Sequence, residues 1–252
     1  MKIAATTLGE TAGDLLSMTL NVGYLVSTLI LMSGFVVVLV GQLRAKRYIP
    51  FLYWAVILAT STAGTTMSDF MNRTLGLGYA TGSAILLGTL VTVLIVWRLT
   101  EKSLSVTDVR SFRAEVFYWS AILVSNTLGT SLGDYLADDS GLGFAGGAAL
   151  IGGVIALIVA AYLAAKRMKV SSPALYVGLF WTAFVLTRPF GATMGDVLTK
   201  TPAQGGLGFV TVGSSAVLAA VLVAVILYTM RRDSHRQAGS DHKCPKTARS
   251  PG

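Results

Sequence analysis

The chain has almost nothing of what a soluble enzyme or a secreted domain is built from. Its one cysteine, Cys244, lies in a polar stretch near the C-terminus, which excludes a disulfide-stapled fold. Both histidines, His235 and His242, lie in the same stretch, so the remainder carries no His-based metalloprotease signature and no Ser/His dyad. No phosphate-binding loop is present. Charged residues make up 13% of the sequence, about half of the ~25% usual in soluble domains. These absences disfavour enzymology, and no cofactor is expected.

What is there is apolar: 53% of residues are hydrophobic and the mean hydropathy is +0.67. The apolar residues fall in blocks of about twenty, long enough to cross a hydrocarbon core about 30 Å thick. Hydropathy places full spans at residues 19–41, 49–71, 78–98, 116–137, 143–165, 174–198 and 207–230. The expected fold is an all-α, polytopic transmembrane bundle with seven full spans and a truncated first helix. The net charge of +8 does not point to nucleic acid, because the basic residues sit between spans. Arg44, Lys46 and Arg47, then Arg98, Lys102, Arg110 and Arg113, then Lys166, Arg167 and Lys169, together with six in the tail, place 16 of the 20 on one side. The positive-inside rule makes that side, and the C-terminus, cytoplasmic. No cleavable signal peptide is expected, since MKIAATTLGETAGDLL carries Glu10 and Asp14 where an apolar core would be needed.

Laid against itself, the chain repeats. Residues 53–69 read YWAVILATSTAGTTMSD, residues 118–134 read YWSAILVSNTLGTSLGD and residues 180–196 read FWTAFVLTRPFGATMGD. Residues 6–14, TTLGETAGD, match the second half of the same pattern. After each Asp comes a glycine turn and a second apolar helix: NVGY from Asn21, GLGY from Gly76, and GLGF from Gly141 and Gly206. Each unit is thus a helical hairpin, and because it holds two spans all copies insert the same way up. The repeats are assigned to residues 1–41, 49–98, 116–165 and 174–230, with a basic cytoplasmic tail at 231–252 expected to be disordered. That tail suits anionic headgroups better than a metal held by its histidines and cysteine. Aligned on the others, the first helix of unit one lacks about ten residues; a longer native N-terminus is the expectation, and a native half-helix is the alternative.

The start KIAATTLGETAGD, with the recurring G-T-T/S-x-G/S-D and G-L-G-Y/F elements, resembles a family of bacterial integral-membrane proteins usually labelled uncharacterised membrane-anchored protein. The resemblance covers essentially residues 1–230. It implies a place in the bacterial inner membrane and a complete first helix, from which this chain departs, and it names no reaction.

Chemistry then has to come from polar residues inside the spans, where ionisable groups are costly and are functional candidates by default. Positions i, i+4 and i+8 share a helix face. Each first helix therefore presents a stripe: Thr6, Glu10, Asp14; Ser61, Thr65, Asp69; Asn126, Thr130, Asp134; Arg188, Ala192, Asp196. Thr11, Thr66, Ser131 and Thr193 lie beside the Asp of each. If the four first helices surround one axis, Asp14, Asp69, Asp134 and Asp196 meet near the outer mouth with Glu10 below them, as a cation or proton site to which Thr66, Ser131 and Thr193 add hydroxyls. Oxygen donors without Cys or His suit a hard cation of the Mn²⁺ class, or protons, with Asp69 and Asp134 as the first metal candidates. Glu10, Arg188 and Asn126 lie deeper, and a Glu10–Arg188 pair serves as a lock or gate. Pro189 should kink its helix. Trp54, Trp119 and Trp181 are expected as interfacial anchors. The expected activity is proton-coupled transport of a hard cation; a cation channel and a non-transporting scaffold or sensor are the alternatives.

Overall fold

The computed structural model describes residues 2–45, 49–101, 111–202 and 205–241, with the side chains of the last helix described through Thr229. The described residues form eight α-helices and no strand: α1 (Lys2–Asp14), α2 (Tyr24–Arg44), α3 (Pro50–Asp69), α4 (Tyr79–Glu101), α5 (Phe112–Asp134), α6 (Gly143–Arg167), α7 (Pro173–Thr199) and α8 (Thr211–Asp241). Their starts follow local chemistry. Pro50 and Pro173 occupy first-turn positions where a missing N–H costs nothing. Ser111 and Ser172 cap α5 and α7 by accepting from the amides of Ala114 and Leu175. The last glycine of each outer turn, Gly23, Gly78, Gly143 and Gly208, has φ between +68° and +83°, a region that disfavours any residue with a Cβ.

α1, α3, α5 and α7 form a closed inner ring, each packed on the next and α7 back on α1. The second helices form an outer layer displaced by one unit: α2 packs on α3, α4 on α5, α6 on α7 and α8 on α1. Glycines five residues before each Asp let the ring close. A Cβ on Gly9 would strike Ser61, one on Gly64 would meet Asn126 and the Thr127 amide at 3.0 Å, one on Gly129 would strike Arg188, and one on Gly191 would strike Thr6. In every case the obstacle includes the residue eight before the Asp of the next unit, so one contact is used four times around the axis.

α2, α4, α6 and residues 211–229 of α8 are long and apolar enough to cross a membrane. Their large apolar side chains face outward, Leu99 at 74% and Leu157 at 71% exposure, which is the surface of a protein in lipid. Of the seven expected spans, these four meet that standard. α3, α5 and α7 fall short, and the side they turn to the axis carries hydroxyls, carboxyls and, on α7, the guanidinium of Arg188.

Three local features depart from the reading above. In units one to three the Asp is followed by a five-residue π-helical turn, Leu15–Thr19, Phe70–Thr74 and Tyr135–Asp139, closed by bonds such as Leu20 N to Leu15 O at 2.9 Å; α7 instead runs on to Thr199. Trp119 is not an interfacial anchor. It is 1% exposed, packed edge-on to Tyr118 and tilted against Tyr53, while Trp97 of α4 meets Tyr118. Tyr53 of the preceding unit covers the spot that hydropathy leaves open. Finally, α8 continues to Asp241, so residues 231–241 of the tail are helical, a good helix former such as Arg, Gln or Ala standing at several positions; residues 242–252, with His242 and Cys244, lie outside the described residues.

Candidate functional site

One arginine ties the four inner helices together. Arg188 of α7 is fully buried. Its Nε donates to the Asn126 carbonyl of α5 (3.1 Å), Nη1 to the Thr6 carbonyl of α1 (2.8 Å) and to Ser61 Oγ of α3 (2.9 Å). Nη2 donates to the Ser61 carbonyl (3.0 Å), Thr65 Oγ1 (2.6 Å) and Thr130 Oγ1 (2.9 Å). Glu10 Oε2 lies 3.3 Å from Nη2 and accepts from the Thr65 and Thr130 hydroxyls, each at 3.0 Å. The guanidinium and carboxylate therefore share the same two threonines. The residues four before the Asp form this layer, and Ala192, its smallest member, stands on the helix that supplies the arginine.

The other candidates sort by helix face. Asn126 gives Arg188 its backbone carbonyl, while its side-chain amide donates to Thr60 Oγ1 at 3.0 Å. Thr66 and Thr193 donate to carbonyls of their own helices. Ser131 accepts from Asn72 Nδ2 (2.9 Å) and pairs with Ser83 Oγ of α4 (2.8 Å). Thr11 accepts from Ser215 of α8 at 2.9 Å. None of these hydroxyls bonds to a ring carboxylate; Ser131 and Thr11 tie the inner ring to the outer layer.

The four Asp side chains end the stripe at the same level, all at or below 7% exposure. Lys200 Nζ bridges Asp14 Oδ2 (3.0 Å) and Asp196 Oδ1 (3.3 Å). Arg73 Nε lies 3.2 Å from Asp69 Oδ1, and its guanidinium lies 5.9 and 5.7 Å from the rings of Tyr24 and Tyr79. The Asp134 carboxyl has no hydrogen bond or ion pair among the described residues. Outside this level opens a vestibule of about 430 Å³, lined by residues of all four units, among them Asp14, Arg73, Asp138 and Lys200. Burial disfavours the Lys200 ammonium, but Asp14 and Asp196 outweigh it and hold its pKa above the ordinary lysine value. Arg73 is likewise held up against burial by Asp69 and Asp134.

Five buried carboxyl groups, Glu10 and the four Asp, thus face three cations, Arg73, Arg188 and Lys200, with Lys2 deeper along α1 donating to the Phe184 carbonyl at 2.6 Å. Full ionisation leaves one or two negative charges uncompensated in a poorly solvated place, which protons or a bound cation would relieve. Among the described residues no three Asp, Glu, His or Cys side chains stand close enough together to hold a metal ion. Arg73 and Lys200 were not among the sequence candidates. Their signal is present all the same: each stands four residues after its Asp, in units two and four, where units one and three have Met18 and Asp138.

The chain matches the family described as Repeat of Unknown Function (DUF347) four times, over residues 1–48, 52–103, 117–168 and 179–234. No curated protein and no solved structure matches it.

Proposed function

The chain belongs to the DUF347 repeat family, and we propose that this four-repeat member is a membrane transporter that moves a hard cation of the Mn²⁺ class in exchange for, or together with, protons. The observation that carries the reading is the surplus of buried carboxyl groups around a fully buried Arg188 that binds all four inner helices. Ionisable groups at membrane depth are expensive and mark ion pathways and proton relays. In this reading α3, α5 and α7 also span the bilayer, shielded from lipid by the outer helices. The protein sits in the bacterial inner membrane with the basic loops and the C-terminus cytoplasmic and the Asp level toward the outside.

The Glu10–Arg188 knot closes the axis below the vestibule. Protonation of Glu10, or a cation arriving at the Asp level, weakens the hold of Glu10 on Arg188 and lets the inner helices separate; passage follows from that release. A cation channel gated by the same knot is the second reading, and coupling of flux to the proton gradient separates the two. A non-transporting scaffold is favoured by one observation, the full complement of hydrogen bonds on Arg188, since a satisfied network is also a good structural lock.

The test is flux. Purified protein in liposomes should move Mn²⁺ in response to an imposed pH gradient, and Asp69→Asn with Asp134→Asn should abolish that flux while leaving folded protein in the membrane. Flux that ignores the proton gradient would indicate a channel. Absence of flux for Mn²⁺, Mg²⁺ and Ca²⁺ with folded protein would leave the scaffold reading.

A further inference from the structure

Four-fold character ends at the vestibule. The position four residues after the Asp is Met18, Arg73, Asp138 and Lys200 in units one to four, so cations alternate with a neutral and an acidic side chain. Each cation serves two units. Lys200 bridges its own Asp196 and the Asp14 of unit one; Arg73 pairs with its own Asp69 and acts electrostatically on Asp134 of unit three. At the mouth the chain thus supplies one cation that bridges Asp14 and Asp196 and one that pairs with Asp69.

The seats of these two side chains are built for cations. The Lys200 ammonium has two carboxylate oxygens within 3.3 Å and Met18 Sδ at 3.9 Å. The Arg73 guanidinium lies near two tyrosine rings as well as Asp69, an arrangement that recognises organic cations. Both side chains line the 430 Å³ vestibule. We infer that Lys200 and Arg73 are tethered occupants of two cation positions at the mouth of the bundle, and that they set selectivity there because an entering cation binds by displacing one of them. This deepens the transport reading and rests on it for its purpose, though the binding step is measurable by itself.

A side chain competing from millimolar effective concentration masks a site by about tenfold or more. The full-length chain in detergent is melted with increasing methylammonium chloride, against tetramethylammonium chloride at equal ionic strength. Lys200→Ala should gain a saturable rise in melting temperature, specific for methylammonium, at a concentration about tenfold below any effect on the wild type. Asp14→Asn with Asp196→Asn in that background should remove it. If Lys200→Ala does not fold, Lys200→Gln, which is one atom shorter and uncharged but keeps a donor, is read the same way. Equal responses of variant and wild type, or a response that survives loss of both aspartates, would overturn the inference. A specific ammonium response in a protein that carries no cation in liposomes would sink the transport reading and leave this one standing; flux without that response would do the reverse.

Discussion

Replacing Arg188 with methionine removes six hydrogen bonds at once. Side-chain hydrogen bonds between membrane helices average about 0.6 kcal/mol each, so their sum is about 4 kcal/mol, close to the ~3–5 kcal/mol typical when one partner of a buried ion pair is deleted. Glu10→Gln keeps an acceptor for Thr65 and Thr130 but leaves Arg188 without a counter-charge, a loss of about the same size. The double variant strands neither charge. Its loss should fall short of the sum of the singles by about 2–3 kcal/mol. Equilibrium unfolding in mixed micelles gives all four corners of the cycle, with the buried indoles of Trp97 and Trp119 as the fluorescent report. Losses that add to within ~0.5 kcal/mol would show that the two side chains stabilise the bundle independently and that no ionic lock joins α1 to α7.

The ring-closing glycines make a sharper geometric prediction: Gly191→Ala drives a methyl into Thr6 and should cost about 1–3 kcal/mol. Gly153→Ala, with nothing within 4 Å of the added carbon, should be neutral or stabilise α6 by up to ~1 kcal/mol; equal effects in thermal melts would refute the packing scheme. Because the folded pKa of Lys200 lies above its unfolded value of ~10.4, its electrostatic contribution is complete below that pH and is lost only as pH rises through the folded value. Where the carboxylates of both proteins are ionised, the wild-type advantage over Lys200→Met in melting temperature should therefore persist up to about pH 10, and an advantage lost below that pH would show the ammonium is not held by Asp14 and Asp196. Ser131→Ala strips Asn72 and Ser83 of a buried partner and should cost about 1–3 kcal/mol, with no change in the Glu10–Arg188 coupling energy.

The hairpins, their outer turns and the polar stripe were legible because each depends on a fixed spacing that recurs. The rotation of the stripe was not. At about 100° per residue, the residue four before the Asp lies about 40° to one side of it and the residue three before lies about 60° to the other. Composition cannot say which flank meets the axis. The Gly9 and Gly191 contacts decide it, turning Thr65 and Thr130 inward while Thr66 and Thr193 bond to their own backbones and Ser131 meets α4. Trp119 was misplaced for a related reason: hydropathy sees one helix end, and the burial comes from a helix of the preceding unit. Arg73 and Lys200 escaped notice because laying repeats over one another draws attention to what they share, and these two stand where the repeats differ.

That difference bears on what the protein is for. A bundle that only had to close needs the same residue at each closing contact, and the glycine five before the Asp obeys this in all four units, as does the Asp itself. The layers eight before, four before and four after the Asp face the axis or its mouth and do not obey it: Thr, Ser, Asn and Arg; Glu, Thr, Thr and Ala; Met, Arg, Asp and Lys. In each layer the charge is placed on one or a few of the four units. If the axis were structural filling alone, small or apolar residues at these positions would close it with no buried charge to neutralise. Instead Glu10 and Arg188 meet across the α1–α7 contact, and Lys200 spans the same pair of helices at the mouth. The joint between unit four and unit one thus carries two ion pairs stacked along one seam, and a motion that breaks the first by drawing α7 from α1 must also strain the second.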